Sequence, residues 1–295
     1  MTLEQHTLAG PVIFAGVGVH TGQHVRVCLR PAPADAGFSF VRTDIKDRDN
    51  VVPALGLAVV QTRLGTVIGN QAGVTVSTIE HLMAAFCALN IDNAVIELDG
   101  PEVPIMDGSS LPFVQVIDQV GVRQQDAPRR YIEILDRVAV DETDKSASLS
   151  PAEGFEMAFE IIFDSPVIGT QRVDLPLTEK TFRDELANCR TFGFAHEVEA
   201  LRAAGLARGG SLENVVVIEG DKVINPEGLR RPDEFVRHKA LDAVGDVYLL
   251  GAPVIGRFES SCGGHGLNNA LVRAVLARPE AWRYVSASPR LARAV

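Results

Sequence analysis

The sequence predicts an α+β protein of two similar domains, each a β-sheet layer packed on helices, with a candidate active site between the two helical layers. Its 295 residues favour two domains of ordinary size. Each half contains a helix, a strand, a turn and a second helix, and the polar landmarks recur at similar spacing. His81 precedes Asp107 by 26 residues, and His238 precedes His265 by 27. The repeated plan predicts a tandem pair of domains.

The first domain is predicted to span residues 1–126. Its first third alternates short apolar runs with turn residues, which is typical of strands. The segment "GVGVHTG" superficially resembles a dinucleotide-binding loop, but "HVRVCLR" follows with period-two alternation rather than a helix, so a tight hairpin is expected. A helix from about Thr78, a strand "NAVIEL" and a helix near Ser110 follow. The polar segment "RQQDAPRRY" marks the boundary.

The second domain is predicted to span residues 127–295 and to carry a βαβ insert at about residues 192–225. The helix "DEFVRHKALDAVGDVYLLG" precedes the strand "PVIGRFES", the turn "SCGGHG" and a last helix. In the insert, Val198, Leu201 and Gly205 lie on one side of a short helix. This apolar flap either covers an apolar ligand or packs only on its own domain, and the pattern alone does not decide between them.

Composition limits the classes of function. The net charge is -10, which argues against broad binding to nucleic acid or anionic membrane and leaves a small molecule as the expected partner. Four widely spaced cysteines without a CxxC pair indicate neither a disulfide framework nor a thiolate zinc site. No leader-like N-terminus or apolar run of about 18 residues is present. We expect a cytoplasmic, monomeric protein without stable membrane insertion.

The helix "DEFVRHKALDAVGD" has an unusual polar stripe. His238, Asp242 and Asp246 stand at i, i+4 and i+8, so they project from one face. An i, i+4 pair can present two ligands to one metal ion. A surface ion pair between His238 and Asp242 is the common alternative. The many apolar residues of this helix leave little of it for water and favour the metal site.

The segment "STIEHLMAAF" supplies a third candidate ligand. Ser77 and Glu80 have the spacing of a capping box, which would give Glu80 a purely structural role. His81 stands at the edge of an apolar helical face and should therefore have a partner. With His238 and Asp242 it would form a three-ligand zinc site with an open position, as in catalytic sites. Glu80 could then accept a proton from water.

His265 lies between glycines in "CGGHGLNN", where a turn would let its ring approach a substrate. Asp246 could orient this ring and raise its pKa, leaving an imidazolium that acts as general acid. The alternative is a histidine that caps a helix or is merely exposed. Its spacing alone does not decide between these roles.

Taken together, the motifs "GVGVHTG", "TIEHLMAA", "IMDGSSLPF", "RTFGF", "EFVRHKALDAVGD" and "GGHGLNN" resemble those of the UDP-3-O-acyl-N-acetylglucosamine deacetylases, zinc amidases of lipid A biosynthesis in Gram-negative bacteria. The resemblance runs over nearly the whole chain. It implies removal of acetate from UDP-3-O-(3-hydroxyacyl)-N-acetylglucosamine, with one catalytic Zn²⁺ per chain. It also implies that the ligands are His81, His238 and Asp242.

The resemblance implies the remaining roles as well. Glu80 would be the general base and His265, steadied by Asp246, the general acid or electrostatic partner. The other matching positions are Thr191 for the oxyanion, Phe192 for packing on the substrate, Lys239 for the charge of the nucleotide-sugar, and Phe163 and Glu197 on the nucleotide side. The insert would form the acyl-chain passage.

The chain departs from the family pattern at two positions. Gly65 stands where many members have a cysteine near the metal, and Cys262 stands where many have a basic residue. Inhibition by a second zinc ion is therefore expected to be weaker, and diphosphate binding should depend more on Lys239 or nearby arginines.

Two other functions are kept open. One is a zinc-stabilised protein that binds an acylated nucleotide-sugar without hydrolysing it. The other is a zinc amidase that acts on a different acetylated sugar. Acid-base residues beside an open metal position argue against the first, and a dependence of hydrolysis on the acyl chain would argue against the second.

Overall fold

A computed structural model describes residues 2–287, so the C-terminal segment "SPRLARAV" lies outside the described residues. The first half contains the following elements: β1 (Glu4–Leu8), β2 (Val12–Val17), β3 (His24–Pro31), β4 (Phe38–Arg42), β5 (Val51–Pro53), β6 (Val59–Gln61), β7 (Val67–Gly69), β8 (Thr75–Val76), α1 (Glu80–Ala88), β9 (Ala94–Leu98), α2 (Leu111–Val120) and β10 (Val122–Pro128).

The second half continues with ten strands and four α-helices among the described residues: β11 (Arg130–Ile134), β12 (Val138–Glu142), β13 (Lys145–Ser150), β14 (Phe155–Ile162), β15 (Thr170–Pro176), α3 (Glu179–Thr181), β16 (Phe192–Phe194), α4 (Val198–Ala203), β17 (Val216–Glu219), β18 (Lys222–Val223), α5 (Glu234–Tyr248), β19 (Val254–Ser261), α6 (His265–Leu276) and β20 (Trp282–Ser286).

The main sheet of the first half has the strand order β2-β3-β9-β4-β5. Strand β3 shows why these segments form strands with one buried face. Val25, Val27 and Leu29 alternate with polar residues, and all three are buried in the core. Helices α1 and α2 pack together and α2 packs against β2, so the apolar face of the sheet is covered by helices.

The main sheet of the second half is built around β19. This strand pairs antiparallel with β13 and parallel with β11 and β14, within a seven-stranded sheet. Helix α5 packs on β14 and β15, whereas α6 packs on β12 and β13. Helices pack on sheets in both halves, and the predicted α+β class is confirmed.

Helices α1 and α5 form the contact between the two helical layers. Every residue of α1 is buried, as are thirteen of the fifteen residues of α5. A helix that is buried on all sides belongs inside a core rather than at a surface. The α1–α5 contact therefore brings the polar stripe of α5 inside the molecule.

The segment predicted as the domain boundary is extended rather than irregular. It contains β10, which pairs antiparallel with β1 at the start of the chain. The last residues of the first half are thereby tied back to the N-terminus. The division at residues 126 and 127 remains a prediction.

The segment "GVGVHTG" is a hairpin turn, as expected, because β2 and β3 pair antiparallel from Val17 opposite His24. The buried carboxylate of Glu102 accepts hydrogen bonds from the backbone N–H groups of His20 and Thr21. In the insert, β16 and β17 are parallel and α4 lies between them along the chain. The Gly209 N–H donates to the Val19 carbonyl at 3.0 Å, so the hairpin turn and the insert are in direct contact.

No helix among residues 2–287 is long and apolar enough to cross a membrane.

Candidate active site

The polar stripe of α5 is buried. His238 and Asp242 are each 3% exposed and Asp246 is 2% exposed. The Nε2 atom of His238 lies 3.3 Å from Oδ1 of Asp242. Burial to this degree rules out the surface ion pair that the spacing also allowed.

His81 on α1 completes the group. Its Nε2 atom lies 3.4 Å from the same Oδ1 of Asp242. Its ring is nearly perpendicular to that of His238, with 4.9 Å between the ring centroids. One ligand atom from each of His81, His238 and Asp242 lies within 4.8 Å of the others. We call these three residues the metal group.

The hydrogen bonds around this group fit a divalent metal ion. The Nδ1 atom of His238 donates to the Cys189 carbonyl at 3.0 Å, which leaves Nε2 as a free lone pair. Burial lowers the pKa of His238 to about 3, so the ring is in the neutral form that binds metals. Oδ1 of Asp242 is buried and has no hydrogen-bond partner among the described residues. A buried acceptor without a donor is costly, and a cation would satisfy it.

Asp242 is held as a carboxylate by its neighbours. Burial favours the protonated form, but His238 and Lys239 outweigh it and hold the pKa of Asp242 well below its usual range. Lys239 Nζ lies 3.1 Å from Oδ2 of Asp242. The lysine therefore contacts the acid of the metal group as well as lining the cavity beside it.

Glu80 does not form the capping box that its spacing with Ser77 allowed. The residue at the N-cap of α1 is Ile79, and it makes no side-chain capping bond. Oε2 of Glu80 instead accepts the backbone N–H of Thr66 at 3.0 Å. Burial raises the pKa of Glu80, although His265 and His81 oppose this. A buried carboxyl group with a raised pKa, next to the metal group, has the properties of an acid-base residue.

His265 is the first residue of α6 rather than part of a glycine turn, and at 9% exposure it is not an exposed histidine. Its Nδ1 atom lies 2.8 Å from Oδ2 of Asp246, and its Nε2 atom lies 3.7 Å from Oε1 of Glu80. Burial lowers the pKa of this imidazole, but Asp246 and Glu80 outweigh it and raise the pKa to about 9. The raised pKa favours the imidazolium form of His265 at neutral pH.

A cavity of about 690 Å³ opens at the metal group. The five residues predicted from the resemblance to contact the substrate all line it: Phe163, Thr191, Phe192, Glu197 and Lys239. The rings of Phe163 and Phe192 pack edge to face, with 5.8 Å between centroids. The insert contributes apolar residues to the wall, including Val198, Leu201 and Val217. The insert thus covers an apolar space next to the polar centre.

Sequence reasoning missed several residues of this site. His20 and Lys145 line the cavity, and the buried Thr66 contacts the acid-base residues. Lys145 opens β13 in a polar hairpin, where a lysine is unremarkable, and Thr66 belongs to an irregular segment before β7. His20 was weakly indicated as a site residue by the sequence, since it stands in the glycine-rich turn. Neither Lys145 nor Thr66 has a spacing that distinguishes it from a surface residue.

Gly65 lies beside the centre. A Cβ atom added there would be 3.1 Å from Oε1 of Glu80 and 3.6 Å from Nε2 of His20. A cysteine at this position would thus place its sulfur next to the candidate base.

Comparison with known proteins gives consistent matches. The family model described as UDP-3-O-acyl N-acetylglycosamine deacetylase matches residues 5–277. A UDP-3-O-acyl-N-acetylglucosamine deacetylase of Phenylobacterium zucineum (strain HLK1) is 67% identical over 99% of this chain and 99% of its own length. Enzymes of the same name are 50% identical in Myxococcus xanthus, over 97% of this chain and 90% of theirs, and 47% identical in Neisseria meningitidis, over 94% and 92%.

Proposed function

The chain belongs to the UDP-3-O-acyl-N-acetylglucosamine deacetylase family, and from this we propose how its residues carry out the reaction. It hydrolyses the N-acetyl group of UDP-3-O-(3-hydroxyacyl)-N-acetylglucosamine in lipid A biosynthesis, giving UDP-3-O-acyl-glucosamine and acetate. The observation that carries the proposal is the buried His81–His238–Asp242 group, flanked by Glu80 and the His265–Asp246 pair.

His81, His238 and Asp242 would hold one zinc ion. Two imidazoles and one carboxylate leave a position open, as in catalytic zinc sites. When bound there, zinc supplies a Lewis acid that polarises the amide carbonyl and makes water a stronger acid.

Glu80 is the proposed general base. Its Oε2 is held by the Thr66 N–H, which leaves Oε1 for a water molecule beside the metal group. Removal of a proton from water by this carboxylate makes the water a better nucleophile toward the acetamide carbon. Positioned acid or base catalysis is worth about 10²- to 10⁴-fold in rate.

Thr191 is proposed to stabilise the oxyanion. Thr191 lines the cavity. Its backbone N–H donates to the Gly108 carbonyl at 2.8 Å. This bond fixes the residue against the first half of the molecule. A hydroxyl held in this way can donate to the charge that develops on the carbonyl oxygen.

His265 is the proposed general acid. A carboxylate only accepts hydrogen bonds, so Nδ1 of His265 donates to Asp246, and Nε2 faces Glu80 and the metal group. The raised pKa keeps a proton on Nε2 at neutral pH. Transfer of this proton to the nitrogen of the breaking amide bond releases the amine, with acetate as the other product.

The cavity has a polar part and an apolar part, and each is proposed to bind a different part of the substrate. Lys239, Phe163, Phe192 and Glu197 are proposed to contact the nucleotide-sugar, and the insert is proposed to enclose the 3-O-acyl chain. The apolar residues of the insert face the cavity, which supports the functional reading of this flap over simple packing on its own domain.

The proposal also includes a monomer that acts in the cytoplasm. All three candidate metal ligands come from one chain, so the site needs no second copy. All four cysteines are free, as is usual for a protein in a reducing compartment.

Acetate release from substrates with acyl chains of graded length tests the function. We expect turnover with a long 3-O-acyl chain and little with none. Binding of the acylated substrate without acetate release would instead identify a zinc-containing binding protein. Equal turnover of the sugar without the acyl chain would identify an amidase for a different acetylated sugar.

A further inference from the structure

Thr66 joins the two acid-base groups of the site. It lies just before β7 in the three-stranded β6-β7-β8 sheet of the first half, and it is 1% exposed. Its backbone N–H donates to Oε2 of Glu80 at 3.0 Å, and its hydroxyl donates to Oδ1 of Asp246 at 2.5 Å. One residue therefore contacts the proposed base and the partner of the proposed acid, and its hydroxyl oxygen also lies 3.4 Å from Nδ1 of His265, the proposed acid itself.

The second bond crosses between the two halves of the molecule. Thr66 and Asp246 are separated by 180 residues in the chain. Asp246 has two further contacts, both to Oδ2: the Asn268 amide donates at 2.9 Å, and Nδ1 of His265 lies at 2.8 Å. The Thr66 hydroxyl is thus the one side-chain donor to Oδ1 among the described residues.

A carboxylate held through one oxygen can still rotate, because the terminal torsion of an aspartate is broad and weakly restricted. Donors on both oxygens fix its plane. With Thr66 on Oδ1 and Asn268 on Oδ2, the lone pair that faces His265 has a set direction. The orientation of an imidazole by a carboxylate depends on such outer contacts.

Resting on the proposed function, we infer that Thr66 is a positioning residue for proton donation: its hydroxyl group holds the Asp246 carboxylate in the plane that aims the His265 imidazole at the leaving nitrogen. Thr66 does not touch the metal group. Its side chain acts through Asp246, and its backbone N–H separately holds Glu80.

The substitution Thr66→Val tests this inference in the full-length, zinc-loaded protein. Valine has nearly the same shape and keeps the backbone N–H to Glu80, but it lacks the hydroxyl. Thr66→Ser keeps the hydroxyl and loses a methyl group. We expect T66V to lower kcat about 10- to 100-fold, the usual cost of removing an outer-shell partner, with KM and bound zinc unchanged, whereas T66S stays within a few-fold of the wild type.

A matched control separates this effect from general stability. Thr7 in β1 is fully buried outside the cavity, and its hydroxyl donates to the Asn93 carbonyl at 2.6 Å and accepts the backbone N–H of Ala32 at 3.0 Å. Thr7→Val removes both of these buried bonds, so it should lower the melting temperature without lowering kcat. The double substitution with Asp246→Asn gives a second test, because T66V should add little to the loss caused by D246N if Thr66 acts through Asp246.

The outcomes are distinct. Absence of acetate release by the wild type and T66S would overturn the proposed function. With an active wild type, the inference on Thr66 is overturned by a T66V enzyme as fast as T66S, by a loss that comes with weaker zinc or substrate binding, or by full additivity with D246N.

Discussion

Gly245 on α5 lies directly against the backbone of Glu80 on α1. A Cβ atom added at Gly245 would be 2.0 Å from the Glu80 carbonyl oxygen. The neighbouring turns of these two helices carry His81 and Asp242, whose ligand atoms are 3.4 Å apart. A glycine at this crossing therefore sets how closely the two halves of the metal group approach.

We expect Gly245→Ala to weaken zinc binding and to lower kcat. In an exposed helix this change would stabilise by about 1 kcal/mol, but here the methyl group meets backbone atoms that cannot move aside cheaply. Titration with a zinc chelator measures the affinity. Gly10→Ala is the control, because a Cβ there has only an ordinary contact of 3.6 Å. Unchanged zinc affinity in G245A would show that the helices can separate without disturbing the site.

Metal content tests the ligand set. We expect about one tightly held zinc ion per wild-type chain and substoichiometric zinc in His81→Ala and in His238→Ala, because each change removes one of three ligands. Elemental analysis after dialysis gives the number. His24→Ala, at an exposed position on β3, should retain the ion. Full zinc content in both ligand variants would place the metal elsewhere.

Glu80→Ala should lower kcat by about 10²- to 10⁴-fold while zinc stays bound, because the base is removed and the three ligands remain. Steady-state acetate release and metal analysis are the measurements. Glu97→Ala, an acid on β9 that pairs with Arg30, serves as the control. Normal turnover by E80A would mean that this carboxylate has only a structural role.

The pH dependence of kcat should report the two acid-base groups. The acid must be protonated, so activity should fall as pH rises through the pKa of His265, about 9. The base must be ionised, and burial raises the pKa of Glu80, so activity should fall again toward acidic pH. Asp246→Asn removes a charge that raises the pKa of His265, so the alkaline limb should move to lower pH. An alkaline limb that stays in place would assign it to another group.

Local spacing was enough for the features that lie within one element. The stripe of His238, Asp242 and Asp246 follows from the helical repeat, and the hairpin at "GVGVHTG" follows from the alternation after it. Burial of α5 was also foreseeable, since its apolar residues leave little of the helix surface for water. Local sequence patterns predicted the wrong role where a group distant in the chain bonds the same side chain. Glu80 bonds the Thr66 N–H instead of capping its own helix, and His265 opens α6 instead of lying in a turn.

By itself, the sequence determined the α+β class, the candidate ligand pair on α5 and, through its motifs together, the family. Tertiary structure alone decided the distance from His81 to Asp242, the two bonds of Thr66 and the place of Lys145 at the cavity. The physical reason is the range of the interactions. Backbone geometry repeats every few residues and leaves a pattern in the chain, whereas a contact across 180 residues depends on how two sheets and their helices pack, which no local spacing records.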